Sequence, residues 1–184
     1  RLSFQYDTKK RIAREAATLI KDNDTVLIES GSTCALLAAE ICQTKKNVKI
    51  VTNSYFIADY IQEYDSCKII LLGGEFQKES RVTVGPLLKE LIRSFRVPFA
   101  FVGVDGYDDE LGFTGKDMMR SEVVQAMSDV SKEVIVLTDS SKFEKCRTVR
   151  RFALSQVSIV ITDKNISQEA KEKLEDSQTI LNLV

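Results

Sequence analysis

The residues best suited to binding or catalysis in this chain follow short apolar runs, at the points where strands of a sheet would end. The first such segment, Glu29-Ser30-Gly31-Ser32-Thr33, comes directly after Thr25–Ile28. Gly31 would let the backbone approach a ligand closely, and Ser32 and Thr33 would offer hydroxyl and N–H groups at a helix N-terminus, where the helix dipole favours an anion. The segment indicates a phosphate-binding loop, while an ordinary capped turn between a strand and a helix would have the same composition.

A second polar segment, Thr52-Asn53-Ser54, follows the apolar run that begins at Val48. Because the carboxyl ends of parallel strands meet at one edge of a sheet, Asn53 could lie beside the first loop. Asn is also a common N-cap residue of helices. The binding and capping interpretations are compatible with each other.

Glycines and acids follow the apolar run Phe99–Val102. The segment Gly103-Val104-Asp105-Gly106 would bring a carboxylate to the end of a strand, and a carboxylate accepts hydrogen bonds from sugar hydroxyls. Lys116 follows the stretch Gly112-Phe113-Thr114-Gly115 and could pair with a phosphate or polarise a carbonyl. A Gly/Asp-rich surface turn with a solvated lysine is an equally good interpretation.

Two charged residues further along complete the candidate set. Glu122 lies in the first turn of a predicted helix, where the dipole favours an acid, and the functional interpretation has it facing the same pocket as Asp105. Lys142 lies in Asp139-Ser140-Ser141-Lys142-Phe143, after the run Val134–Leu137, where the other loops converge. Later cations are interpreted as a solvated face or a subunit contact: Lys145, Arg147, Arg150 and Arg151.

The apolar runs before these segments alternate with stretches of helical periodicity. Strands are predicted at Thr25–Ile28, Val48–Thr52, Lys68–Leu72, Phe99–Val102, Val134–Leu137, Val157–Ile161 and Ile180–Leu183. Helices are predicted at Thr8–Ile20 with Asp7 or Thr8 as cap, at Ser32–Cys42, after an Asn53 cap, from Pro86, at Arg120–Val130, and after Ser167 to Asp176. This alternation predicts an α/β fold, a mostly parallel Rossmann-like sheet with helices on both faces. Ligands bind such sheets at the carboxyl ends of the strands, near a reversal of strand order.

Composition limits the chemistry that these residues can perform. The chain has 26 basic and 27 acidic residues, a net charge of −1, and this balance argues against nucleic-acid binding by the chain alone, since a phosphate backbone requires a concentrated positive surface. It has no histidine, which excludes a Ser-His-Asp hydrolase. Its four cysteines form no C-x-x-C pair, so no zinc site or redox dithiol is predicted, and no cofactor is expected.

The length of 184 residues suits one compact α/β domain. Residues 1–7 are interpreted as the end of a linker. The sequence contains no signal peptide and no long apolar run, so we expect a cytoplasmic protein with no membrane contact. The cysteines are expected to be reduced and mostly small core residues.

Taken together, these segments resemble the sensor domain of the DeoR family of bacterial regulators. The resemblance rests on the order and spacing of segments across nearly the whole chain, each of them weak alone. They are Lys10–Ala13, Glu29–Thr33, Thr52-Asn53-Ser54, Leu72-Gly73-Gly74, Val84-Gly85-Pro86, Phe101–Gly106, Asp139–Phe143 and Val160–Asp163. The chain departs from the family at Glu29, where the family more often has Asp.

The resemblance implies a fold shared with ribose-5-phosphate isomerases, glucosamine-6-phosphate deaminases and CoA transferases. It implies that residues 1–184 are an effector-sensing domain, and that DNA is bound only by a winged-helix domain upstream. The implied effector is a phosphorylated sugar, the implied regulator a repressor of sugar metabolism and a homo-oligomer, and no enzymatic activity is expected. The predicted effector-binding residues are Ser30, Gly31, Ser32, Thr33, Asn53, Asp105, Gly106, Lys116, Glu122 and Lys142.

Two alternatives remain at this point. Asp105, Asp108, Lys116 and Glu122 also fall loosely in the order of the residues of a ribose-5-phosphate isomerase, where a carboxylate base moves a proton between sugar carbons. However, Lys116 is followed by Asp117-Met118-Met119 and lacks the glycine-rich stretch of those isomerases. A purely structural or oligomerisation domain would explain the fold but would leave the polar loops without a role.

Overall fold

The computed structural model describes residues 2–184; Arg1, the first residue of the predicted linker, lies outside them. The helices are α1 (Tyr6–Ala17), α2 (Ser32–Thr44), α3 (Tyr55–Ile61), α4 (Pro86–Ile92), α5 (Met118–Asp129) and α6 (Gln168–Asp176). The strands are β1 (Thr25–Ile28), β2 (Val48–Thr52), β3 (Cys67–Leu71), β4 (Glu75–Gln77), β5 (Val82–Val84), β6 (Val97–Val102), β7 (Gly106–Asp108), β8 (Gly112–Gly115), β9 (Ser131–Leu137), β10 (Val149–Phe152), β11 (Ile159–Thr162) and β12 (Ile180–Leu183).

A seven-stranded sheet in the order β12-β11-β9-β6-β1-β2-β3 forms the centre of the fold. Every neighbouring pair in it is parallel. β2 and β3 follow β1 on one side of it, and β6 pairs with β1 on its other side. The strand order therefore reverses between β1 and β6, which is where ligands bind in sheets of this kind.

Side chains of the central strands alternate between two apolar layers. In β9, Ile135 and Leu137 pack in the layer that contains α1 and α2. Val134 and Val136 pack in the opposite layer with residues of α5 and α6. A sheet covered on both faces explains why its strands read as continuous apolar runs, and the predicted parallel α/β fold is confirmed.

Three predicted helix starts are wrong by one or two residues, among them that of α5, which begins at Met118 and not at Arg120. α1 begins at Tyr6, so the last residues of the predicted linker are helical, and neither Asp7 nor Thr8 caps it. Ser54, not Asn53, caps α3, and its hydroxyl accepts a hydrogen bond from the Ile57 N–H at 3.2 Å. The predicted first-turn position of Pro86 and the Ser167 cap are confirmed.

The sequence pattern misses two small antiparallel sheets. β4 and β5 form a hairpin, and β7, β8 and β10 form a three-stranded sheet in the order β10-β8-β7. The segment from Gly106 to Gly115, predicted as a polar loop, is the hairpin of this second sheet. It carries the residues before α5 towards the carboxyl ends of β1 and β6, so it helps to build the site.

Two kinds of feature are absent from residues 2–184. No helix there combines the length and apolar character needed to cross a membrane. No group of three or more His, Cys, Asp or Glu side chains in this range could hold a metal ion. The cysteines are free thiols, with Cys34 and Cys42 buried and Cys146 exposed.

We predict that Gly112→Ala destabilises the fold by about 1–3 kcal/mol, the usual cost of a strained backbone conformation or an overpacked contact. Gly112 has φ +81°, and a methyl group there would overlap the Phe152 carbonyl oxygen of β10. Gly73→Ala is the matched control, because nothing lies within 4 Å of an added Cβ at that position. Urea unfolding of both variants measures the difference, and equal stabilities would show that the β8–β10 packing is wrong.

Candidate functional site

A cavity of about 400 Å³ opens at the carboxyl ends of β1, β6 and β9, next to the reversal of strand order. The loops after these three strands supply one part of its wall. Residues of α1, α5 and the β7–β8–β10 sheet supply the rest. The lining includes Lys9, Ser30, Gly31, Ser32, Thr33, Gly103, Asp105, Lys116, Arg120, Thr138, Asp139, Lys142, Arg147 and Arg151.

The loop between β1 and α2 is shaped by a glycine. Gly31 occupies the N-cap position of α2 with φ 125°, a conformation that residues with a Cβ rarely adopt. Ser32 and Thr33 follow in the first turn of the helix, so backbone N–H groups at that end are available to an anion. Gly103, after β6, lies so close that an added Cβ would be 3.3 Å from the Ser30 carbonyl oxygen. The two loops thus form one continuous surface.

Glu29 holds together three residues that line the cavity, Ser30, Arg120 and Arg151. Its side chain is fully buried, and its Oε1 atom lies 3.1 Å from Arg151 Nη2 and 3.3 Å from Arg120 Nη2. The Ser30 hydroxyl donates to the same oxygen at 2.8 Å and accepts from Arg120 Nη2 at 2.7 Å. One carboxylate therefore holds two arginines from distant parts of the chain.

The electrostatics of this group favour the ionised form. Burial alone would raise the pKa of Glu29, but Arg151, Arg120 and the Ser30 hydroxyl lower it, and the net direction is downward. Glu29 in turn raises the pKa of Arg120. The cluster contains one negative and two positive charges, so it carries a net positive charge into the cavity.

Arg151 reaches the site because β10 pairs with β8. Arg150 lies opposite Thr114 in this antiparallel pair, and Arg151 is only 2% exposed. Gly115 of β8 leaves room for it, since a Cβ there would lie 2.7 Å from Arg151 Cδ. The Nε atoms of Arg151 and Arg120 are buried without a hydrogen-bond partner in the described part of the chain, so both arginines keep donors for a ligand.

Lys142 is presented by a short 3-10 turn, Ser140–Lys142, that follows β9. Asp139 caps the turn and accepts hydrogen bonds from the N–H and hydroxyl of Ser141. Asp163, after β11, accepts from the N–H and hydroxyl of Ser140 at 2.7 and 2.8 Å. These two carboxylates fix the turn and so position the lysine beside the cavity.

The cavity is predominantly cationic. The lining cations are Lys9, Lys116, Lys142, Arg120, Arg147 and Arg151. They outnumber the lining acids Asp105 and Asp139 and the buried Glu29 carboxylate, which pairs with Arg120 and Arg151. Asp139 is engaged by its own turn. The arrangement suits a ligand that carries an anionic group together with hydroxyls.

The structure brings most of the sequence-predicted binding residues to this cavity. Those that line it are Ser30, Gly31, Ser32, Thr33, Asp105, Lys116 and Lys142. They come from the segments after β1, β6, β8 and β9, as the parallel topology requires. Their role in binding stays a prediction.

Three predicted residues lie elsewhere. Asn53 is fully buried, and its amide donates to the Thr83 carbonyl at 2.8 Å, which fastens β5 to the end of β2. Gly106 begins β7, where an added Cβ would overlap the Lys145 carbonyl. Gly106 therefore serves close packing, and it does not line the cavity.

Glu122 faces away from Asp105, contrary to the functional interpretation. Its carboxylate pairs with Lys89 of α4 at 3.1 Å, on a solvent-exposed surface. The reason is helical phase: Arg120 of α5 points to Glu29, and a residue two positions further along a helix lies about 200° around its axis.

The sequence analysis misses three basic residues of the site. The interpretation of Arg147 and Arg151 as a solvated face or subunit contact is wrong because both line the cavity, and the sequence indicates Arg120 only as the start of a helix. Glu29 is the signal in the sequence that could indicate these arginines, because an acid that follows an apolar strand needs a cationic partner when it is buried. Arg150 and Lys145, from the same run, are exposed as expected.

We predict that Glu29→Gln lowers the free energy of unfolding at pH 7 by about 3–5 kcal/mol, the range for removing one partner of a buried ion pair. Because the folded-state pKa of Glu29 is lowered, its stabilisation is complete above the unfolded-state pKa of about 4.3 and is lost as the pH falls through the folded value. Urea unfolding from pH 7 down to pH 3 should show the free energies of unfolding of Glu29→Gln and the unsubstituted protein converging.

Glu122→Gln is the matched control for this experiment. It also removes a carboxylate next to a cation, but the Glu122–Lys89 pair is exposed, so the loss should stay below about 1 kcal/mol. Equal effects of the two substitutions would contradict the anchoring role of Glu29.

Comparison with curated proteins finds transcription regulators. An HTH-type transcriptional regulator of Haemophilus influenzae is 28% identical over 176 residues, which are 96% of this chain and 68% of that protein. The HTH-type transcriptional regulator UlaR of Shigella dysenteriae and of Escherichia coli is 33% identical over 172 residues, 92% of this chain and 66% of UlaR. The chain thus spans about two thirds of the length of these relatives.

Solved structures share the fold at low sequence identity. Ribose 5-phosphate isomerase A from Methanocaldococcus jannaschii superposes with a TM-score of 0.53 at 22% identity, over 75% of this chain and 54% of that one. The β subunit of eIF2B from Chaetomium thermophilum superposes with a TM-score of 0.58 at 16% identity, over 84% and 50%. These likenesses confirm the predicted fold, which ribose-5-phosphate isomerases share.

The family model described as the DeoR C terminal sensor domain matches residues 4–164. The matched range contains β1 to β11 and every residue named above as lining the cavity. The chain therefore belongs to the DeoR C-terminal sensor domain family.

Proposed function

We propose that this domain senses a phosphorylated sugar, which binds in the cavity at the ends of β1, β6 and β9. The observation that carries the proposal is the convergence of six lysine and arginine side chains on that cavity in a chain whose net charge is −1. Cations gathered in this way match a phosphate, whose oxygens accept charge-assisted hydrogen bonds. An arginine of an ordinary charged surface is solvated, whereas Arg151 is only 2% exposed.

The cavity offers separate surfaces to the two parts of such a ligand. The phosphate would bind between the Gly31-Ser32-Thr33 loop at the N-terminus of α2 and the Lys142 turn. Asp105, on the loop after β6, would accept hydrogen bonds from sugar hydroxyls. Arg120 and Arg151, held by Glu29, would supply further donors without reorganisation when the ligand enters.

The biological context follows from the relatives. They are HTH-type transcriptional regulators, so we propose that this domain belongs to such a regulator, a repressor of sugar metabolism that binds DNA through a separate domain and acts as a homo-oligomer. The effector would act by binding two arrangements of the subunits with different affinity, since equal affinity for both would switch nothing.

The sugar-phosphate isomerase alternative has less support. Asp105 and Lys116 line the cavity, but Glu122 pairs with Lys89 on the far side of α5. The Asp108 carboxylate accepts hydrogen bonds from the N–H groups of Glu110 and Leu111 within its own hairpin. The acids that an isomerase would need are therefore divided between separate places, while the residues proposed to bind the phosphate line one cavity.

A thermal-shift screen against a panel of sugar phosphates, with the unphosphorylated sugars as controls, tests the proposal. A phosphorylated sugar present at one hundred times its Kd should stabilise the domain by about 2.7 kcal/mol, and its unphosphorylated form should not. Conversion of that ligand to its isomer would favour the enzyme instead. Silence across the panel would remove the proposed ligand class.

We predict that Lys142→Met weakens binding of the stabilising ligand by about 1–3 kcal/mol, the range for losing a charged hydrogen bond. Lys145→Met is the matched control, because Lys145 is an exposed lysine three residues away and does not line the cavity. Isothermal titration calorimetry compares the two. Equal affinities of both variants for the ligand would take Lys142 out of the site.

A further inference from the structure

A wall of the cavity comes from the start of the chain and not from the ends of strands. Phe4 and Lys9 both line it. Lys9 is a residue of α1, yet it is only 6% exposed, unusual for a lysine. Its position is not explained by the parallel sheet, whose loops supply the predicted binding residues.

Lys9 holds the turn that precedes its own helix. Its Nζ donates to the Phe4 carbonyl at 2.6 Å and lies 5.7 Å from the centre of the Phe4 ring. Its backbone N–H donates to the Gln5 carbonyl at 3.0 Å. Gln5 itself is left-handed, with φ 51°, and its side chain makes no capping hydrogen bond. The turn therefore depends on Lys9, because Gln5 has a left-handed backbone conformation that is strained for a residue with a Cβ.

The same ammonium group faces the other charges of the cavity. Burial lowers the pKa of Lys9, Asp139 raises it, and Lys142 lowers it again. Asp139 and Lys142 belong to the turn after β9, which lines the same cavity. An anion bound next to Lys142 is therefore within the electrostatic reach of Lys9.

We propose that Lys9 is a further ligand-binding residue, which contacts the anionic group and couples occupancy of the cavity to the segment N-terminal to α1. An anion attracts the ammonium more strongly than a neutral carbonyl does. Binding therefore weakens the hold of Lys9 on Phe4 and loosens the strained turn at Gln5. This role of Lys9 rests on the proposed function. It adds Lys9 to the binding residues and connects the cavity to the segment before α1.

Fluorescence can test the coupling because the chain has no tryptophan. Phe4→Trp places a single reporter on the turn, and inorganic phosphate serves as the probe. Emission should change on titration of Phe4→Trp with phosphate, and this change should be lost in Phe4→Trp/Lys9→Met. By calorimetry, Lys9→Met should also bind phosphate roughly tenfold more weakly, as expected for losing a charged hydrogen bond.

Lys10→Met is the matched control, because Lys10 neighbours Lys9 in sequence, lies over the Tyr6 ring and does not line the cavity. It should leave both the emission change and the phosphate affinity unaltered. Unchanged phosphate affinity in Lys9→Met would overturn the binding role. Phosphate binding to Phe4→Trp without any emission change would overturn the coupling.

A labelling experiment on the unsubstituted protein covers the case in which Lys9→Met does not fold. Phosphate at ten times its Kd should slow reductive methylation of Lys9 roughly tenfold, since about one molecule in eleven stays unoccupied, and should leave Lys10 unaffected. Equal rates with and without phosphate would refute contact between Lys9 and the anion. If the unsubstituted protein binds neither phosphate nor any sugar phosphate, the proposed function fails as well, which the variants alone would not show.

Discussion

The site depends on one buried interaction, the Glu29 carboxylate between Arg120 and Arg151. A guanidinium group buried at the edge of an apolar sheet requires a charge partner, because transfer of an unpaired ion from water costs several kcal/mol. Glu29 is fixed at the end of β1, in the middle of the sheet, and it draws α5 and β10 to the same point. The single negative charge of Glu29 balances one of the two arginines, so one net positive charge remains and faces the cavity. The cluster that joins these parts of the fold is thus also a source of positive charge for an anion in the cavity.

The central sheet could be predicted from the sequence because a parallel strand covered on both faces is a continuous apolar run. β1, β2 and β12 have the predicted bounds. The β7, β8 and β10 strands are short and mix glycine, charged and aromatic residues, as in Val149-Arg150-Arg151-Phe152. Their stability comes from pairing between distant segments, such as Val149 with Gly115. Local periodicity contains no information on such pairing, so the sequence predicts loop and charged surface for this part of the fold.

The residues of the cavity likewise divide into those that the sequence predicts and those that it misses. The loops after β1, β6 and β9 could be located because parallel topology alone brings the carboxyl ends of strands together. Arg120 lies 91 positions from Glu29 along the chain, and only the folded arrangement of α5 joins them. The errors at Asn53 and Glu122 have smaller causes: a cap displaced by one residue to Ser54, and a helical phase that turns Glu122 towards Lys89. Each follows from local geometry that residue type does not determine.

The same fold supports isomerases, eIF2B subunits and sensors, so the difference must lie in side chains at the cavity. Here two acids at the cavity are engaged in structure, Glu29 with two arginines and Asp139 with Ser141, while Asp105 lines the cavity on the loop after β6. The cations outnumber them, and one, Lys9, belongs to the first helix of the domain. A proton-transferring enzyme needs a carboxylate next to its substrate. The excess of cations over acids around this cavity favours an anion as the ligand.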